Sequence, residues 1–341
     1  MTNDTPVRWG ILSTARIGTR KVIPGMMKSA AIEIAAIASR ELPRAEAAAR
    51  ELGIARAYGS YEALLADPAI EAVYNPLPNH LHVPLTLAAA QAGKHVLCEK
   101  PMALTAAELE ALRPHVERVH VREAFMVRHH PQWIEARAQV RAGRIGELRE
   151  VNVEFAYRNL DPADIRNQAD IGGGALYDIG CYAIVAGRWF FEGEPERATA
   201  FVARDAAFGV DATTSGLMDF GHGRHLVFSV STQVAPYQRV RLVGTGGRIE
   251  IEIPFNAPPD RPCRFFVDAT GALDGSGIET VTLPVADQYQ LQGEAFSHAV
   301  RHERTSAAGL DDAIRSLRAI DALFASAKSG RTEAVMTASG R

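Results

Sequence analysis

Lys94-His-Val-Leu-Cys-Glu-Lys-Pro101 decides how the rest of the chain is read. His95–Cys98 is a short, largely apolar run of the kind that forms a buried strand. Glu99, Lys100 and Pro101 stand at its carboxyl end, and in an open parallel sheet that end faces the ligand crevice. Proline restricts the backbone after Lys100, so an amine there is held in place. Partial desolvation would lower its pKa toward the range that suits proton transfer to a hydroxyl. Taken alone, the same residues also describe a surface lysine after a strand.

Toward the N-terminus, strands and helices alternate. Val7–Leu12 reads as a strand, and a helix follows from about Ile17. Between them lie Gly10, Ser13, Thr14, Ala15, Arg16 and Ile17. Small residues at 10, 13 and 15 let the backbone approach a pyrophosphate that faces the helix N-terminus, although an ordinary strand-to-helix turn can look the same. Ile32–Ala38 is a second strand, ending in Ser39-Arg40. That end reaches the adenosine ribose in a dinucleotide fold, where arginine accepts a 2′-phosphate and an acidic residue would bind the hydroxyl. Ser39, Arg40 and Arg44 therefore predict NADP(H), with NAD(H) as the second choice; the alternative is a solvated loop arginine. Arg44–Leu52, Tyr61–Ala66 and Val83–Ala92 read as helices, and Ala72–Asn75 and Val119–Phe125 as strands. Pro76-Leu-Pro-Asn79-His80-Leu-His82 reads as a rigid loop. This alternation is the signature of a doubly wound parallel sheet. Asn75, Pro76, Asn79, His82, Glu99 and Arg128 complete the expected cofactor side. The histidines at 80, 82, 129 and 130 lack a nearby third ligand, so no metal is expected.

From Leu148 the texture changes. Val151-Asn-Val-Glu-Phe-Ala-Tyr157 alternates apolar and polar, as a half-exposed strand does. Further strand-like runs are Ala198–Ala203, Ser215–Phe220, Leu226–Thr232, Val240–Val243, Arg248–Ile253, Arg264–Val267 and Thr280–Leu283. They predict an α+β second domain on an open, mostly antiparallel sheet, with a domain boundary at 124/125 and a face suited to homodimer or homotetramer formation. A helix over Leu310–Ala327 is expected to return toward the first domain. Gly172-Gly-Gly-Ala-Leu-Tyr-Asp178-Ile-Gly-Cys-Tyr182 opens a different kind of helix. Asp178 and Tyr182, four apart, would share one helical face. A carboxylate and a phenol so placed can hold a diol and pass a proton. The phenol needs a neighbouring cation, for which Lys100 is the candidate, because its ordinary pKa is about 10. The alternative is Tyr182 packed in the core. Arg166 and Asn167, just before the glycines, are weaker substrate candidates.

Composition excludes several functions. The 341 residues, 47% hydrophobic and 23% charged, describe a globular chain of about two domains. A net charge of −3 argues against a nucleic-acid or membrane footprint. No stretch approaches the ~20 apolar residues of a membrane span, and the opening Met-Thr-Asn-Asp-Thr-Pro lacks an apolar signal core. A cytoplasmic protein is expected, with Cys98, Cys181 and Cys263 as reduced thiols.

Three motifs in order carry a resemblance: Tyr74-Asn-Pro-Leu-Pro-Asn-His-Leu-His82, Ala92–Pro101 with its Glu-Lys-Pro, and Gly172–Tyr182. Together they resemble the glucose–fructose oxidoreductase / inositol dehydrogenase / MocA family over essentially the full chain. The resemblance implies an N-terminal Rossmann domain, a C-terminal sheet domain that often pairs subunits, and NAD(P)-dependent oxidation of sugars, polyols or diols. It also implies that Lys100 is catalytic and that Asp178 positions substrate. Tyrosine at 182, where many relatives carry histidine, is similar to the dihydrodiol and xylose dehydrogenase branch. Ser13 and Ala15 depart from the family's usual glycines. Two other readings belong to the same scaffold: a trans-dihydrodiol dehydrogenase and a non-catalytic, nucleotide-binding regulator.

Overall fold

A computed structural model of the chain describes residues 5–336, in two units. The first comprises the described residues up to Met126 together with Asp287–Ile314. Its strands are β1 (Val7–Leu12), β2 (Ile32–Ala38), β3 (Arg56–Tyr58), β4 (Ala72–Asn75), β5 (His95–Cys98) and β6 (Val121–Glu123). They form one parallel sheet in the order β3-β2-β1-β4-β5-β6. Strand order reverses between β1 and β4, and in doubly wound sheets the ligand crevice opens at that reversal. The helices are α1 (Ile23–Met26), α2 (Leu42–Leu52), α3 (Tyr61–Leu65) and α4 (His82–Gln91). β1, β2 and β4 are almost wholly apolar and buried, as strands covered on both faces must be.

The second unit is Val127–Ala286 with the described residues from Arg315 onward. After α5 (Pro131–Arg141) comes β7 (Leu148–Arg158) and then α6 (Cys181–Phe191). β8 (Arg197–Arg204), β9 (Asp211–Asp219), β10 (His225–Ser231), β11 (Gln233–Gly244), β12 (Gly247–Ile251), β13 (Cys263–Asp268) and β14 (Ile278–Leu283) follow. With the short β15 (Glu333–Ala334) they build a nine-stranded sheet, in which β7 and β10 run parallel and the other neighbours antiparallel. The fold is thus α/β, a parallel Rossmann-type sheet followed by a mostly antiparallel one, as the strand pattern predicts. In β9 and β10, Ala212, Thr214, Met218, Leu226, Phe228 and Val230 are buried, while Leu217 and Val227 face outward. The three cysteines are buried and form no disulfide among the described residues.

Three elements depart from the expectation. β3 and β15 are too short to carry a periodicity, and α7 (Gln288–His302) was not foreseen. α7 clusters with the first unit, although a boundary at 124/125 had assigned it to the second. α8 (Ala308–Ser329), expected over Leu310–Ala327, contributes residues to both units. Specific bonds explain the return of α7. Asp287 caps it by accepting the Tyr289 N–H at 2.9 Å, and also takes the Lys28 ammonium at 2.8 Å. Ser297 accepts the Trp9 indole N–H at 3.1 Å, with Phe296 against the same ring. Gly293 lies so close to α1 that a Cβ there would stand 2.9 Å from Met26 Cγ. Arg301 grips both Glu71 oxygens, at 2.8 and 3.0 Å, and donates to the carbonyls of Thr5 and Pro6.

Bonds to a charged group are worth roughly 1.5–3 kcal/mol each, and Arg301 is a mostly buried hub. Arg301→Ala is expected to lower unfolding stability by about 2–3 kcal/mol, read as a lower urea midpoint. A midpoint equal to wild type would show that α7 is held by its apolar face alone.

Candidate functional site

In the first unit, the expected residues gather at the carboxyl ends of adjacent parallel strands. Residues 13–17 follow β1, and Ser39, Arg40 and Arg44 follow or lie just beyond β2. Asn75–His82 follow β4, and Glu99 and Lys100 follow β5. The β1 turn suits a pyrophosphate. Ser13 has φ +139°, backbone that favours glycine, and its Oγ accepts the Ala15 N–H at 3.0 Å. Gly18, which opens the helical turn, lies buried against Tyr74 and Pro76, where a Cβ would stand 3.7 and 3.6 Å from their rings. Ser13, Ala15 and Gly18 thus occupy the three glycine positions of a dinucleotide fingerprint: tight turn, close approach and helix packing. Gly10, expected at the phosphates, lies under α3 instead: a Cβ there would stand 2.6 Å from Leu64 and 3.1 Å from Ile70. Ser39 is buried, while Arg40, Arg44 and Arg16 are exposed.

The Glu99-Lys100-Pro101 turn is fastened at each residue. The Glu99 N–H donates to the Asn75 carbonyl at 3.0 Å. The Glu99 carboxylate accepts the Tyr74 hydroxyl at 2.7 Å and the Lys100 N–H at 3.3 Å. Pro101, joined to Lys100 by a cis peptide, has its carbonyl oxygen 2.7 Å from His82 Nδ1, and the Met102 N–H donates to Glu123 at 2.8 Å. Burial, with Glu99 beside it, pushes the Tyr74 phenol well above its ordinary range, so it remains a donor.

His82, expected on the cofactor side, is corrected by this geometry. It is 1% exposed, with Nε2 2.6 Å from the Leu77 carbonyl, so its ring braces the β4 loop against the β5 turn. Burial pushes its pKa down to about 4, while the two carbonyls facing its ring nitrogens act in the opposite direction. The Asn75 side chain is likewise internal. It is wholly buried and donates to the His82 carbonyl at 3.1 Å and Thr86 Oγ1 at 3.2 Å. Pro76 is buried, and Asn79 begins the short helical turn before α4.

In the second unit, Arg128 lies half-buried in the turn Met126–His129. Arg166 and Asp178 come together: Arg166 Nε donates to Asp178 Oδ2 at 3.1 Å, and Nη1 reaches Asp164 at 3.3 Å. The glycine run explains this register. Gly174 N–H donates to the Arg166 carbonyl at 2.9 Å, and a Cβ on Gly173 would stand 2.6 Å from that same oxygen. Asn167, expected beside substrate, is instead 3% exposed and donates to the Asp161 carbonyl at 2.8 Å.

The regular helix expected over Asp178 and Tyr182 is interrupted. Leu176–Gly180 forms a wide π turn in which the Cys181 N–H bonds the Leu176 carbonyl, and α6 continues from Cys181. Asp178 also accepts from Tyr157, whose hydroxyl donates to Oδ2 at 2.6 Å. Tyr157 follows Val151, Val153 and Phe155 at period two on β7, a signal present in the sequence but assigned no role there. Burial and the Asp178 charge push the Tyr157 phenol far above its ordinary range, and Asp178 and Tyr157 together push the Arg166 guanidinium up. Tyr182 is 5% exposed, with its ring against Phe155 and Phe255. Among the described residues, no group of three or more His, Cys, Asp or Glu is placed to hold a metal, and no helix is long and apolar enough to cross a membrane.

A phenol whose folded pKa lies above its unfolded value of ~10 contributes stability below that pH and loses it as pH rises through the folded value. Stability of the wild type should therefore fall with pH above about 10. Tyr157→Phe should make that alkaline fall shallower while costing about 1–3 kcal/mol at neutral pH, both measured by urea unfolding. An unchanged alkaline slope would mean that Tyr157 ionises freely in the folded chain.

Comparison with known proteins places this architecture. Residues 7–129 match the model "Oxidoreductase family, NAD-binding Rossmann fold", and residues 133–250 match "GFO/IDH/MocA C-terminal domain". An uncharacterized oxidoreductase of Rhizobium meliloti is 47% identical over 96% of this chain and 99% of its own. D-xylose 1-dehydrogenase (NADP(+)) 2 of Haloferax volcanii is 41% identical over 94% and 98%. Among solved structures, a 3-ketoreductase from Actinomadura kijaniata, in complex with NADP and TDP-benzene, superimposes with a TM-score of 0.87 at 30% identity, covering 94% of this chain and 98% of that one. With both domain models matched in order, the chain belongs to the GFO/IDH/MocA family of oxidoreductases, with an NAD-binding Rossmann domain at its head.

Proposed function

We propose that this oxidoreductase carries out reversible, NADP(H)-dependent hydride transfer at a carbinol carbon of a sugar, polyol or related diol. The observation that carries this reading is the fastening of Lys100 at the end of β5, where every residue of the Glu99–Met102 backbone has a fixed partner. Such rigidity gives a catalytic amine a defined position without reorganisation during the reaction. Similarity to the NADP(+)-dependent xylose dehydrogenase over nearly the whole chain supports the same substrate class.

Ser13–Ile17 would cradle the pyrophosphate, and Ser39, Arg40 and Arg44 the 2′-phosphate, which favours NADP(H) over NAD(H). When bound, the nicotinamide supplies the hydride acceptor in oxidation and the donor in reduction. Lys100 and Tyr182 move the hydroxyl proton: the ammonium lowers the phenol's pKa, or the lysine transfers the proton itself. Asp178, already accepting from Tyr157 and Arg166, orients a neighbouring substrate hydroxyl. Arg128 would contact the nicotinamide or the substrate.

The test is a panel of aldoses, polyols and trans-dihydrodiols with NADP+ and NAD+, followed at the NAD(P)H absorbance. Wild type should turn over at least one of them, preferring NADP+. Lys100→Met should lower kcat by at least ~100-fold with NADP+ affinity retained, and Arg40→Asp should shift preference toward NAD+. Unchanged turnover in Lys100→Met would overturn the mechanism.

The outward face of the second sheet carries Phe201, 80% exposed, with Leu217 and Val227. Such a face fits a self-complementary interface, and we assign homodimer or homotetramer formation to it. Light scattering should give at least twice the mass of one chain, and Phe201→Glu should reduce it. A monomeric wild type would remove this assignment.

A further inference from the structure

Asp211 is the first residue of β9, next to a register irregularity between β8 and β9. It is 2% exposed, yet no basic side chain hydrogen-bonds it among the described residues. Oδ2 accepts the Leu176 N–H at 2.7 Å and the Thr214 hydroxyl at 2.8 Å. Oδ1 presses on the Gly174 backbone so closely that any Cβ there would overlap it. Gly174 has φ +115°, so glycine is required at that point for backbone reasons as well.

The bonds continue from this carboxylate to the site. The Gly174 carbonyl accepts the Asp178 N–H at 3.1 Å, and the Gly174 N–H is held by the Arg166 carbonyl. Leu176, bonded to Asp211, starts the π turn that carries Asp178. One buried carboxylate therefore bonds the backbone at Leu176 and packs against it at Gly174, a few residues ahead of the one that accepts Tyr157 and Arg166. Carboxylates at helix N-termini satisfy orphan N–H groups and complement the dipole.

We infer that Asp211 is a positioning residue: its carboxylate clamps the Gly174–Leu176 backbone and so fixes the direction in which Asp178 presents its side chain to substrate. The inference rests on the assignment of Asp178 to the site.

Holding the clamp in its ionised form has a cost. Burial raises the Asp211 pKa to about 6, against backbone and hydroxyl bonds that lower it. The charged groups nearby do not offset burial. Arg204 exerts a weak attraction, and Lys328 and the Tyr177 phenol line the same open cavity of about 580 Å³. Because the folded value exceeds the unfolded one, this group's contribution to stability is present at low pH and is lost as pH rises through about 6. The clamp itself rests on geometry, the bonds from the Leu176 N–H and the Thr214 hydroxyl to one oxygen and the packing of the other against Gly174.

The test compares wild type, Asp211→Asn and Asp211→Ala as full chains, with three readouts. The first is thermal unfolding at pH 5 and 7.5. Asp211→Asn, which keeps an acceptor for the Leu176 N–H, should remain folded at both pH values. The second is kcat against pH. Wild type should show an acid limb near pH 6, whereas Asp211→Asn should lack that limb and show kcat lowered about tenfold at pH 7.5, with NADP+ affinity unchanged. The third is amide exchange of the 172–182 segment, which should quicken in Asp211→Ala below the unfolding temperature while β10 and β11 stay protected. Unchanged kcat and acid limb in Asp211→Asn, or kcat lost only in step with stability, would overturn the inference. If wild type turns over nothing in the panel, the proposed reaction fails, and the exchange readout decides the clamp by itself: quickened exchange supports it, and unchanged exchange overturns it.

Discussion

The Glu99 carboxylate, accepting the Tyr74 hydroxyl on one oxygen and the Lys100 N–H on the other, is the interaction around which the first unit is arranged. Tyr74 lies on β4 and Glu99 follows β5, so the bond links the ends of two neighbouring parallel strands. His82 adds a second link between the same two loops, from Leu77 to Pro101. A short turn that bears a lysine would ordinarily sample several conformations. Here the backbone polar groups on either side of the lysine are engaged, and the entropy of fixing them is lost on folding and not at the moment of reaction.

A similar economy governs the second unit. Gly173, the middle of three consecutive glycines, lies directly against the Arg166 and Gln168 carbonyls, where any side chain would collide. That approach sets Arg166 beside Asp178 and leaves the carboxylate with a phenol and a guanidinium as donors. The wide turn at Leu176–Gly180 belongs to the same arrangement. An inserted residue in a helix re-aims side chains, and such turns recur where side chains must point toward a ligand.

How much of this the sequence carried depends on how local the physics is. β1, β2, β4 and β5 were legible because strands buried on both faces are continuous apolar runs, and β7 because a half-exposed strand alternates. Gly53, where α2 ends, marks that end with a left-handed residue that glycine tolerates. The gathering of residues at the ends of β1, β2, β4 and β5 followed from strand order alone. Expected contacts failed where a residue's type suited two roles. Gly10, Asn75, His82 and Asn167 all have chemistry fit for a ligand, yet each is spent on packing or on backbone carbonyls. Polarity by itself does not report which way a side chain points.

The sequence by itself determined the two-domain α/β architecture and the dinucleotide turn and marked Lys100 and Asp178 as candidates for the chemistry, because periodicity, turn residues and motif spacing are local properties. Only tertiary structure decided that Asp178 takes Tyr157 and Arg166 as partners, that Asp211 closes the turn before it, and that α7 returns to the first sheet. Each of those depends on bonds between residues far apart in the chain, as Arg301 and Glu71 are. Such pairings are selected by the packing of whole elements, and no window of neighbouring residues contains them.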